Sequence, residues 1–329
     1  MTRIVQFAEA GGPDVLKIID IEVPLPGPGE VRIKVKALGI NRAEAMWRAD
    51  TYIEPVVFPA RLGYEAAGLI DAVGDGVTEF AVGDAVNTVP AFSQNQYGMY
   101  GELVLAPVHA VVRHPANFSY EEAASIWMMF ITAYGALIDD AKLGPKDAVI
   151  ITAASSSVGL AAIQLANLVG ATSIALTRTS AKRQQLLDAG ATHVIATEEQ
   201  DLVAEVMKIT NNEGARVVFD PVGGPTMAKL IAAMTFQGIF YLYGALSPDP
   251  AVLPVLTMIA KIPVVKGYTL WVITSDPIRQ KAAVDFILAG FESGKLKPVI
   301  DKIFPFSEIV DVHRYLEANG QFGKIVVTV

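Results

Sequence analysis

The stretch from Ala148 to Arg178 constrains the fold of this chain more than any other. A short apolar, β-branched run meets a turn of small residues, a helical run that ends at Gly170, and a second apolar run, with no charge before Arg178. This order predicts a strand, a helix and a second, parallel strand, in a sheet covered on both faces. Polar residues such as Gln164 and Asn167 interrupt the run, which argues against a membrane span.

Composition predicts a well-packed protein of two domains. The chain has 329 residues, of which 52% are hydrophobic and 18% are charged. A net charge of −8 without a basic stripe argues against a nucleic-acid partner. The absence of cysteine excludes disulfides, thiol catalysis and cysteine-ligated zinc. The four histidines lack metal-ligand spacing, so we expect no metal, and the N-terminus has no apolar signal region, which predicts a cytoplasmic protein.

Strands and helices alternate regularly after Lys142. The pattern predicts strands near 148–153, 173–177, 193–197, 216–221, 238–243 and 264–270, with helices near 158–169, 180–189, 200–210, 225–235 and 253–261. Six strands joined by helices make an open, doubly wound parallel sheet, which is an α/β fold.

The first part of the chain has a different sequence pattern, with short strands and many turns. Residues 1 to about 120 contain short alternating strands separated by Gly-Asp turns, as in 31–40, 69–77 and 84–89. Ser119, with acids in the following turn, predicts the start of one long helix that runs to residue 141. A further helix is predicted over 277–293. The last strand, over 324–329, is expected to return to the β-rich region, so both chain ends form that domain.

The turn after the first strand of the parallel sheet resembles a degenerate dinucleotide fingerprint. A Gly-x-Gly-x-x-Gly motif would place its glycines at Ala154, Ser156 and Gly159, and only the third is present. Ser156 must then hold a pyrophosphate slightly off or donate its hydroxyl to it. The helix N-terminus still supplies amide donors and partial positive charge. The predicted phosphate-binding residues are Ala154, Ser155, Ser156, Ser157, Val158 and Gly159.

The end of the second strand distinguishes between the two nicotinamide dinucleotides. NAD sites place an acid there to bond the ribose hydroxyls, whereas this chain has Thr177 and Arg178, followed by Lys182. A cationic, hydroxyl-rich loop would bind a 2′-phosphate that an acid would repel. The sequence therefore predicts NADP(H) as the cofactor.

The whole chain resembles the medium-chain dehydrogenase/reductase superfamily, and within it the zinc-free quinone oxidoreductase branch. The landmarks that carry the resemblance are LGINRAEAMWRADTY (38–52), LGYEAAGLIDAVGDGVTEFAVGDAV (62–86), ITAYGAL (131–137), TAASSSVGLAAIQLA (152–166), LLDAGATHVI (186–195), VVFDPVGG (217–224) and FGKIVV (322–327). The resemblance implies a GroES-like, β-rich catalytic domain (1–122 and 271–329) and a Rossmann domain (123–270).

The zinc enzymes of this superfamily hold their catalytic metal on cysteine, histidine and a third ligand. The corresponding positions here are Asn41, Tyr64 and a residue near Met128 or Met129, and none suits Zn²⁺. The cysteine-rich structural zinc lobe is absent as well, and residues near 90–100 take its place. Without a Lewis acid, hydride acceptors that are already electron-poor are favoured, which are quinones and α,β-unsaturated carbonyls.

The resemblance also implies roles for individual residues. Asn41 and Thr132 correspond to residues near the nicotinamide, and Tyr52 corresponds to an active-site tyrosine that can bond or protonate the nascent product. Tyr64 adds a second phenol at the vacated metal position. Further cofactor contacts are expected from Gly244, Ala245, Leu246, Ser247, Tyr268, Thr269, Gly323 and Lys324. Thr197 stands where some relatives stack a tyrosine on the adenine, which is a departure from the pattern.

Three functions remain open from the sequence. The first is an NADPH-dependent quinone or enone reductase. The second is an enoyl-thioester reductase whose apolar slot could be lined by 253–265, although this segment is more typical of a packed helix and an edge strand. The third is a non-catalytic NADPH-binding protein of the crystallin type, which the altered turn favours. Relatives often dimerise through the edge strand near 264–270, so a homodimer is expected.

Overall fold

The computed structural model describes residues 1–329, which form two compact units, Met1–Met128 with Pro298–Val329 and Met129–Lys297. The strands are β1 (Thr2–Gln6), β2 (Lys17–Ile21), β3 (Glu30–Ile40), β4 (Glu65–Val73), β5 (Ala85–Thr88), β6 (Leu103–Pro107), β7 (Val111–Arg113), β8 (Ala148–Ile151), β9 (Thr172–Thr177), β10 (His193–Ala196), β11 (Ala215–Asp220), β12 (Met234–Leu242), β13 (Val264–Gly267), β14 (Ile300–Pro305) and β15 (Lys324–Thr328). The α-helices are α1 (Arg42–Arg48), α2 (Tyr120–Ala123), α3 (Trp127–Tyr134), α4 (Ser157–Leu168), α5 (Arg183–Asp188), α6 (Leu202–Ile209), α7 (Thr226–Ala232), α8 (Val255–Lys261), α9 (Trp271–Thr274), α10 (Pro277–Glu292) and α11 (Ile309–Glu317).

The second unit contains a six-stranded sheet in the order β10-β9-β8-β11-β12-β13, with every pair parallel. Ile150, Val218 and Phe240 of the three central strands are fully buried, as expected for a sheet with helices on both faces. The strand order reverses at β8, so the turn after β8 lies at the switch point where such sheets bind ligands. This architecture confirms the predicted doubly wound sheet.

The first unit contains a mixed seven-stranded sheet in the order β14-β15-β3-β4-β5-β7, with β6 paired to β3. The last strand, β15, pairs antiparallel with β3, which confirms that the chain's end returns to the β-rich region. Gly39 on β3 allows the segment around Ala124 to pack closely, because a Cβ at Gly39 would lie 1.9 Å from the Ala124 carbonyl oxygen. The mixed sheet is the GroES-like domain predicted from the resemblance.

The long helix predicted from Ser119 to residue 141 is not continuous, and that prediction was wrong. Helix α2 ends at Ala123, α3 begins at Trp127, and a π-helical turn follows over Gly135–Asp140. The Met128 N–H donates to Oε1 of Glu65 at 3.0 Å, and the Ala123 carbonyl accepts from Nδ2 of Asn87 at 3.1 Å. These contacts from β4 and β5 replace helical hydrogen bonds at the break, and local sequence patterns cannot reveal them.

The compact units divide the chain at positions that differ from the predicted boundaries of 1–122, 123–270 and 271–329. Helix α10, which the sequence reading assigned to the β-rich domain, lies in the second unit. Phe291 of α10 packs edge-on against Phe130, with ring centroids 5.2 Å apart, and Arg279 bonds Asp139. These contacts explain why residues 271–297 cluster with the parallel sheet.

The segment 253–265, considered as an apolar slot, forms helix α8 and the start of edge strand β13. Val255, Leu256 and Ile259 of α8 are exposed rather than packed. Strand β13 ends at Gly267, shorter than the predicted 264–270, because the chain turns at Tyr268 and enters α9. No helix in the chain combines the length and the apolar character that crossing a membrane requires.

Candidate active site and cofactor site

The turn after β8 keeps the geometry of a dinucleotide turn despite its missing glycines. A Cβ on Gly159 would lie 2.7 Å from backbone atoms of Ala153 and Ala154, so the third glycine is required for close packing of α4 on the strand. Ala153 takes the left-handed conformation, with φ of 45°. Such a backbone costs a non-glycine residue about 1–3 kcal/mol and is common at ligand sites.

Ser156 is the N-cap of helix α4, a role that the dinucleotide fingerprint did not predict. Its hydroxyl caps helix α4 by accepting the Gly159 N–H at 3.1 Å. The hydroxyl proton stays available to a second acceptor, because an oxygen that accepts one bond can still donate. Replacing the middle glycine with serine therefore stabilises the helix start and leaves one donor for an anion.

The loop after β9 is positively charged, and an acidic residue from the loop after β10 bonds to it. Arg178 is exposed, and the Lys182 ammonium donates to the Ser155 hydroxyl at 3.3 Å, which brings a cation to the turn. The Glu199 carboxylate accepts from the Ser180 amide at 2.8 Å, which holds the pKa of Glu199 below its usual range. The sequence reading missed Glu199, which lies in the loop after β10, nineteen residues beyond Ser180.

Two further loops of the second unit are tied together at the ends of β11 and β12. The buried Asp220 carboxylate accepts the Val222 and Gly223 amides at 3.0 and 2.9 Å, and burial raises the pKa of this group. The predicted cofactor loop Gly244–Ser247 is held against this turn, because the Leu246 amide donates to the Pro221 carbonyl at 3.0 Å.

The other residues of the second unit that were predicted to contact the cofactor lie on α3, at the end of β9 and in the turn after β13. Thr132 is buried within α3, and Thr177 ends β9. Tyr268 donates its amide to the Leu242 carbonyl at 2.8 Å, while its phenol oxygen is buried without a hydrogen-bond partner. Thr269 follows it at the start of the turn into α9.

The first unit holds a buried polar cluster around Asn41, which stands at one of the positions that correspond to zinc ligands. The cluster consists of Asn41, Glu44, Glu65 and Lys324, all at most 6% exposed. The Lys324 ammonium donates to Oδ1 of Asn41 at 2.6 Å and pairs with Oε2 of Glu65. The Asn41 amide donates to Glu65 at 2.9 Å and to Glu44 at 3.1 Å. Two carboxyl groups thus share one cation in the protein interior.

Lys324 does not have the place expected for a pyrophosphate contact. Its ammonium is fully buried and bonded to Asn41 and Glu65. Moving it to a phosphate would leave the buried Glu65 carboxylate without a compensating charge. Gly323, with φ of 114°, makes the preceding turn, where a Cβ would lie 2.4 Å from the Val299 carbonyl. The amide of Asn41 is likewise held by its two acid neighbours.

Glu44 is the member of the cluster that sequence reasoning missed. Its carboxylate accepts the Asn41 N–H at 2.5 Å and the Tyr64 N–H at 3.3 Å. Burial raises the pKa of Glu44 to about 7, and the Lys324 charge opposes that shift. The Asn-x-x-Glu spacing at the start of α1 is a capping-box pattern that could have identified it.

Tyr64 and Tyr52 are close enough for their charges to interact. Tyr64 is buried, and burial raises the pKa of its phenol well above the usual value, so the phenol is a hydrogen-bond donor at neutral pH. A hydrogen bond from the Gln94 side chain opposes this shift. Tyr52 is half-buried in the segment between α1 and β4. The structure therefore brings Asn41, Tyr52 and Tyr64 into one region of the first unit.

The residues at the zinc positions do not fit a zinc ion. They provide an amide, a phenol and thioethers, whereas Zn²⁺ takes thiolate, imidazole or carboxylate ligands. The Lys324 ammonium, bonded to Oδ1 of Asn41, also puts a positive charge beside this position, which disfavours a dication. No group of three or more His, Cys, Asp or Glu side chains is arranged to hold a metal. His313 is buried beside Arg48, and burial lowers its pKa to about 3.

Comparisons with known proteins agree with the two units. The alcohol dehydrogenase GroES-like domain family matches residues 27–116, and the zinc-binding dehydrogenase family matches residues 157–288. Human quinone oxidoreductase is 32% identical over 329 residues, covering 99% of this chain and 98% of the relative. A crystal structure of an NAD-dependent alcohol dehydrogenase superposes with a TM-score of 0.92 at 32% identity, covering 99% of each chain. Escherichia coli quinone oxidoreductase complexed with NADPH gives a TM-score of 0.90 at 27% identity, covering 99% of this chain and 100% of that one.

These matches span both units. The chain therefore belongs to the medium-chain dehydrogenase/reductase superfamily and, within it, to the quinone oxidoreductase branch. It is an oxidoreductase of that branch by descent. Two of the similar solved structures, among them the Escherichia coli quinone oxidoreductase, are complexed with NADPH.

Stability is expected to fall as pH rises through neutrality, because of Glu44. A carboxyl group whose pKa is raised on folding favours the fold while protonated, and that contribution is lost as pH rises from about 4.5 through about 7. The loss attributable to Glu44 is up to about 3 kcal/mol. Thermal unfolding midpoints from pH 5 to 8 should decline less steeply in Glu44→Gln than in the wild type. Parallel pH profiles in the two proteins would contradict this assignment.

Proposed function

We propose that the protein is an NADPH-dependent oxidoreductase that delivers hydride to a quinone or an α,β-unsaturated carbonyl without a metal ion. The observation that carries the proposal is the donor set at the former zinc position. An amide and a phenol replace the ligands, and the Lys324 ammonium is paired with Glu65 inside the cluster. Groups of this kind can bond a developing negative charge, but they cannot polarise a plain carbonyl as strongly as zinc does. Conjugated acceptors need less assistance.

The second unit supplies the residues that fit the cofactor. The Ser156 hydroxyl and the amides at the start of α4 suit the diphosphate. Arg178 and Lys182 suit the additional phosphate of NADP(H). When bound, the reduced nicotinamide supplies the hydride.

The first unit supplies the groups that handle the substrate. The buried phenol of Tyr64 stays protonated and can donate a hydrogen bond to a carbonyl oxygen. Tyr52, close by, is the second phenol available to bond or protonate the product. The buried polar cluster fixes the backbone at Tyr64, since Glu44 accepts the Tyr64 N–H.

NAD(H) is the alternative cofactor, and one contact favours it. Glu199 bonds Ser180 beside the basic loop, where its charge would oppose a 2′-phosphate. The structurally similar NAD-dependent alcohol dehydrogenase supports the same alternative. Arg178 and Lys182 outweigh this single exposed acid, so the proposal keeps NADPH.

Steady-state turnover with NADPH and NADH across quinones, alkenals and a crotonyl thioester tests the proposal. We expect quinones or alkenals to be reduced, with NADPH preferred. Faster turnover of the thioester would favour an enoyl-thioester reductase. A protein that binds NADPH tightly but reduces none of these acceptors would be a non-catalytic binding protein instead.

We also propose that the protein forms a homodimer through the open edge of the parallel sheet. Strand β13 leaves one row of backbone groups without a neighbouring strand. Val255, Leu256 and Ile259 on the adjacent α8 are between 67% and 82% exposed, which is a large apolar surface for a monomer.

Placing a charge on this face should produce a monomer. Leu256→Glu combined with Ile259→Glu would bury unpaired charges in the interface, so light scattering should give half the wild-type mass. Ile278→Glu is the matched control, since Ile278 is 81% exposed on α10, away from this face in sequence. A wild-type protein that is monomeric at micromolar concentration would refute the proposed dimer.

A further inference from the structure

The segment 51–59, which carries Tyr52, contains no helix and no strand. The Thr51 N–H and hydroxyl both donate to the Met46 carbonyl, at 2.9 and 3.3 Å, which ties the start of the segment to α1. Ile53, directly after Tyr52, is 69% exposed, so no apolar core holds the segment there. The place of Tyr52 therefore depends on the hydrogen bonds that the residues after it make.

The side chain of Asn95 makes three hydrogen bonds to the middle of this segment. Its Nδ2 donates to Oε1 of Glu54 and to the Pro55 carbonyl, both at 3.0 Å. Its Oδ1 accepts the Val57 N–H at 2.9 Å. The Ser93 hydroxyl donates to the same oxygen of Glu54. One amide side chain thus holds three positions of an otherwise irregular segment.

The loop that carries Asn95 is itself fixed to the chain at Tyr64. Gln94, which is 2% exposed, accepts the Gly63 N–H at 2.7 Å, and its side chain also bonds the Tyr64 phenol. Phe92 packs against the Tyr64 ring, with centroids 5.7 Å apart. Adjacent residues of one loop, Gln94 and Asn95, therefore hold the two parts of the chain that carry the proposed active-site phenols.

We infer that Asn95 is a positioning residue for the reduction and acts through Tyr52, by setting the place of that phenol relative to the Tyr64 phenol. The inference rests on the proposed function, in which hydride adds to the conjugated acceptor and the electron pair moves to its oxygen. A phenol stabilises that oxygen by donating a hydrogen bond, and a displacement of about 1 Å can lower such a rate about 100-fold. The Asn95 amide is already bonded to the segment through both its nitrogen and its oxygen, so it acts on the position of the phenol rather than on the substrate.

Exchanging the two bonded partners tests this role. Asn95→Asp sets a carboxylate against Glu54, so like charges repel and the segment is displaced. The double variant Glu54→Gln/Asn95→Asp restores an amide–carboxylate bond with its partners exchanged, while Asn95→Ala removes the bonds without adding a charge. Gln96→Glu adds the same charge at an exposed position of the same loop and is the control.

Each variant is compared with the wild type in the NADPH-dependent reduction of 3-penten-2-one and of 1,4-naphthoquinone. We expect Asn95→Asp to lower kcat about tenfold or more, with the KM for NADPH within about twofold of the wild type. Glu54→Gln/Asn95→Asp should recover most of the loss, and Gln96→Glu should stay within about twofold. Thermal midpoints should stay within about 3 °C, because the lost bonds lie at the surface.

A double-mutant cycle with Tyr52→Phe separates positioning from a general structural effect. Because Asn95 acts through the Tyr52 phenol, Asn95→Asp and Asn95→Ala should lower kcat by less than about twofold when that phenol is absent. An equal loss with and without the phenol would overturn the inference, as would wild-type kcat in both Asn95 variants. A wild-type protein that reduces neither acceptor would instead refute the proposed function.

Discussion

Replacing Lys324 with methionine is expected to lower the free energy of unfolding by about 3–5 kcal/mol. The side chain is fully buried, and its ammonium is the only cation bonded to Glu65 and Asn41 in the cluster. Removing one partner of a buried ion pair leaves the other charge uncompensated in a medium of low polarity. Methionine fills a similar volume, so the effect reports the lost charge rather than a cavity.

Denaturant and thermal unfolding of Lys324→Met should be compared with Lys281→Met. Lys281 forms an exposed pair with Asp285, with a side chain 75% exposed, and such pairs contribute about 0–1 kcal/mol. Adding Glu65→Gln to Lys324→Met should recover part of the loss, because the uncompensated charge is then removed. A Lys324→Met protein as stable as Lys281→Met would show that the cluster does not depend on this cation.

Removing both Arg178 and Lys182 is expected to weaken NADPH binding by about 100-fold or more while changing NADH binding by less than about threefold. Hydrogen bonds between charged groups contribute about 1.5–3 kcal/mol each, and only NADPH carries the additional phosphate. Fluorescence titration of Arg178→Ala/Lys182→Ala with both nucleotides measures the effect.

Two control variants make this measurement specific. Lys229→Ala removes an exposed cation on α7 of the same unit and should leave both affinities unchanged. Glu199→Gln should strengthen NADPH binding, because the acid on Ser180 opposes the 2′-phosphate. Equal losses for NADPH and NADH in the double variant would mean that the basic loop does not select the phosphate.

Periodicity and residue type sufficed to predict the parallel sheet. Uncharged runs such as 148–151 and 172–177 can only be covered on both faces, and the helices between them fix the parallel direction. The third glycine of the turn was also identified correctly as the one that close packing requires, as the contacts around Gly159 show. These are local signals that a single sequence contains.

Features that depend on distant residues could not be predicted. Helix α3 begins where it does because Glu65, sixty-three residues earlier, accepts the Met128 N–H. The resemblance implied that Lys324 contacts the cofactor, yet tertiary packing buries it on Asn41 and Glu65. The Gln94 side chain accepts the Gly63 N–H, a contact between residues thirty-one positions apart. Sequence patterns identify elements, whereas these contacts arise from how the elements pack.

The most direct test of direct, metal-independent hydride transfer is a single-turnover experiment with [4,4-²H₂]NADPH and an enone after exhaustive treatment with chelator. The account predicts that one deuterium appears on the β-carbon of the product, at a rate that chelation does not change, in a protein without bound transition metal. Loss of turnover on chelation, with recovery on adding one equivalent of zinc, would contradict it.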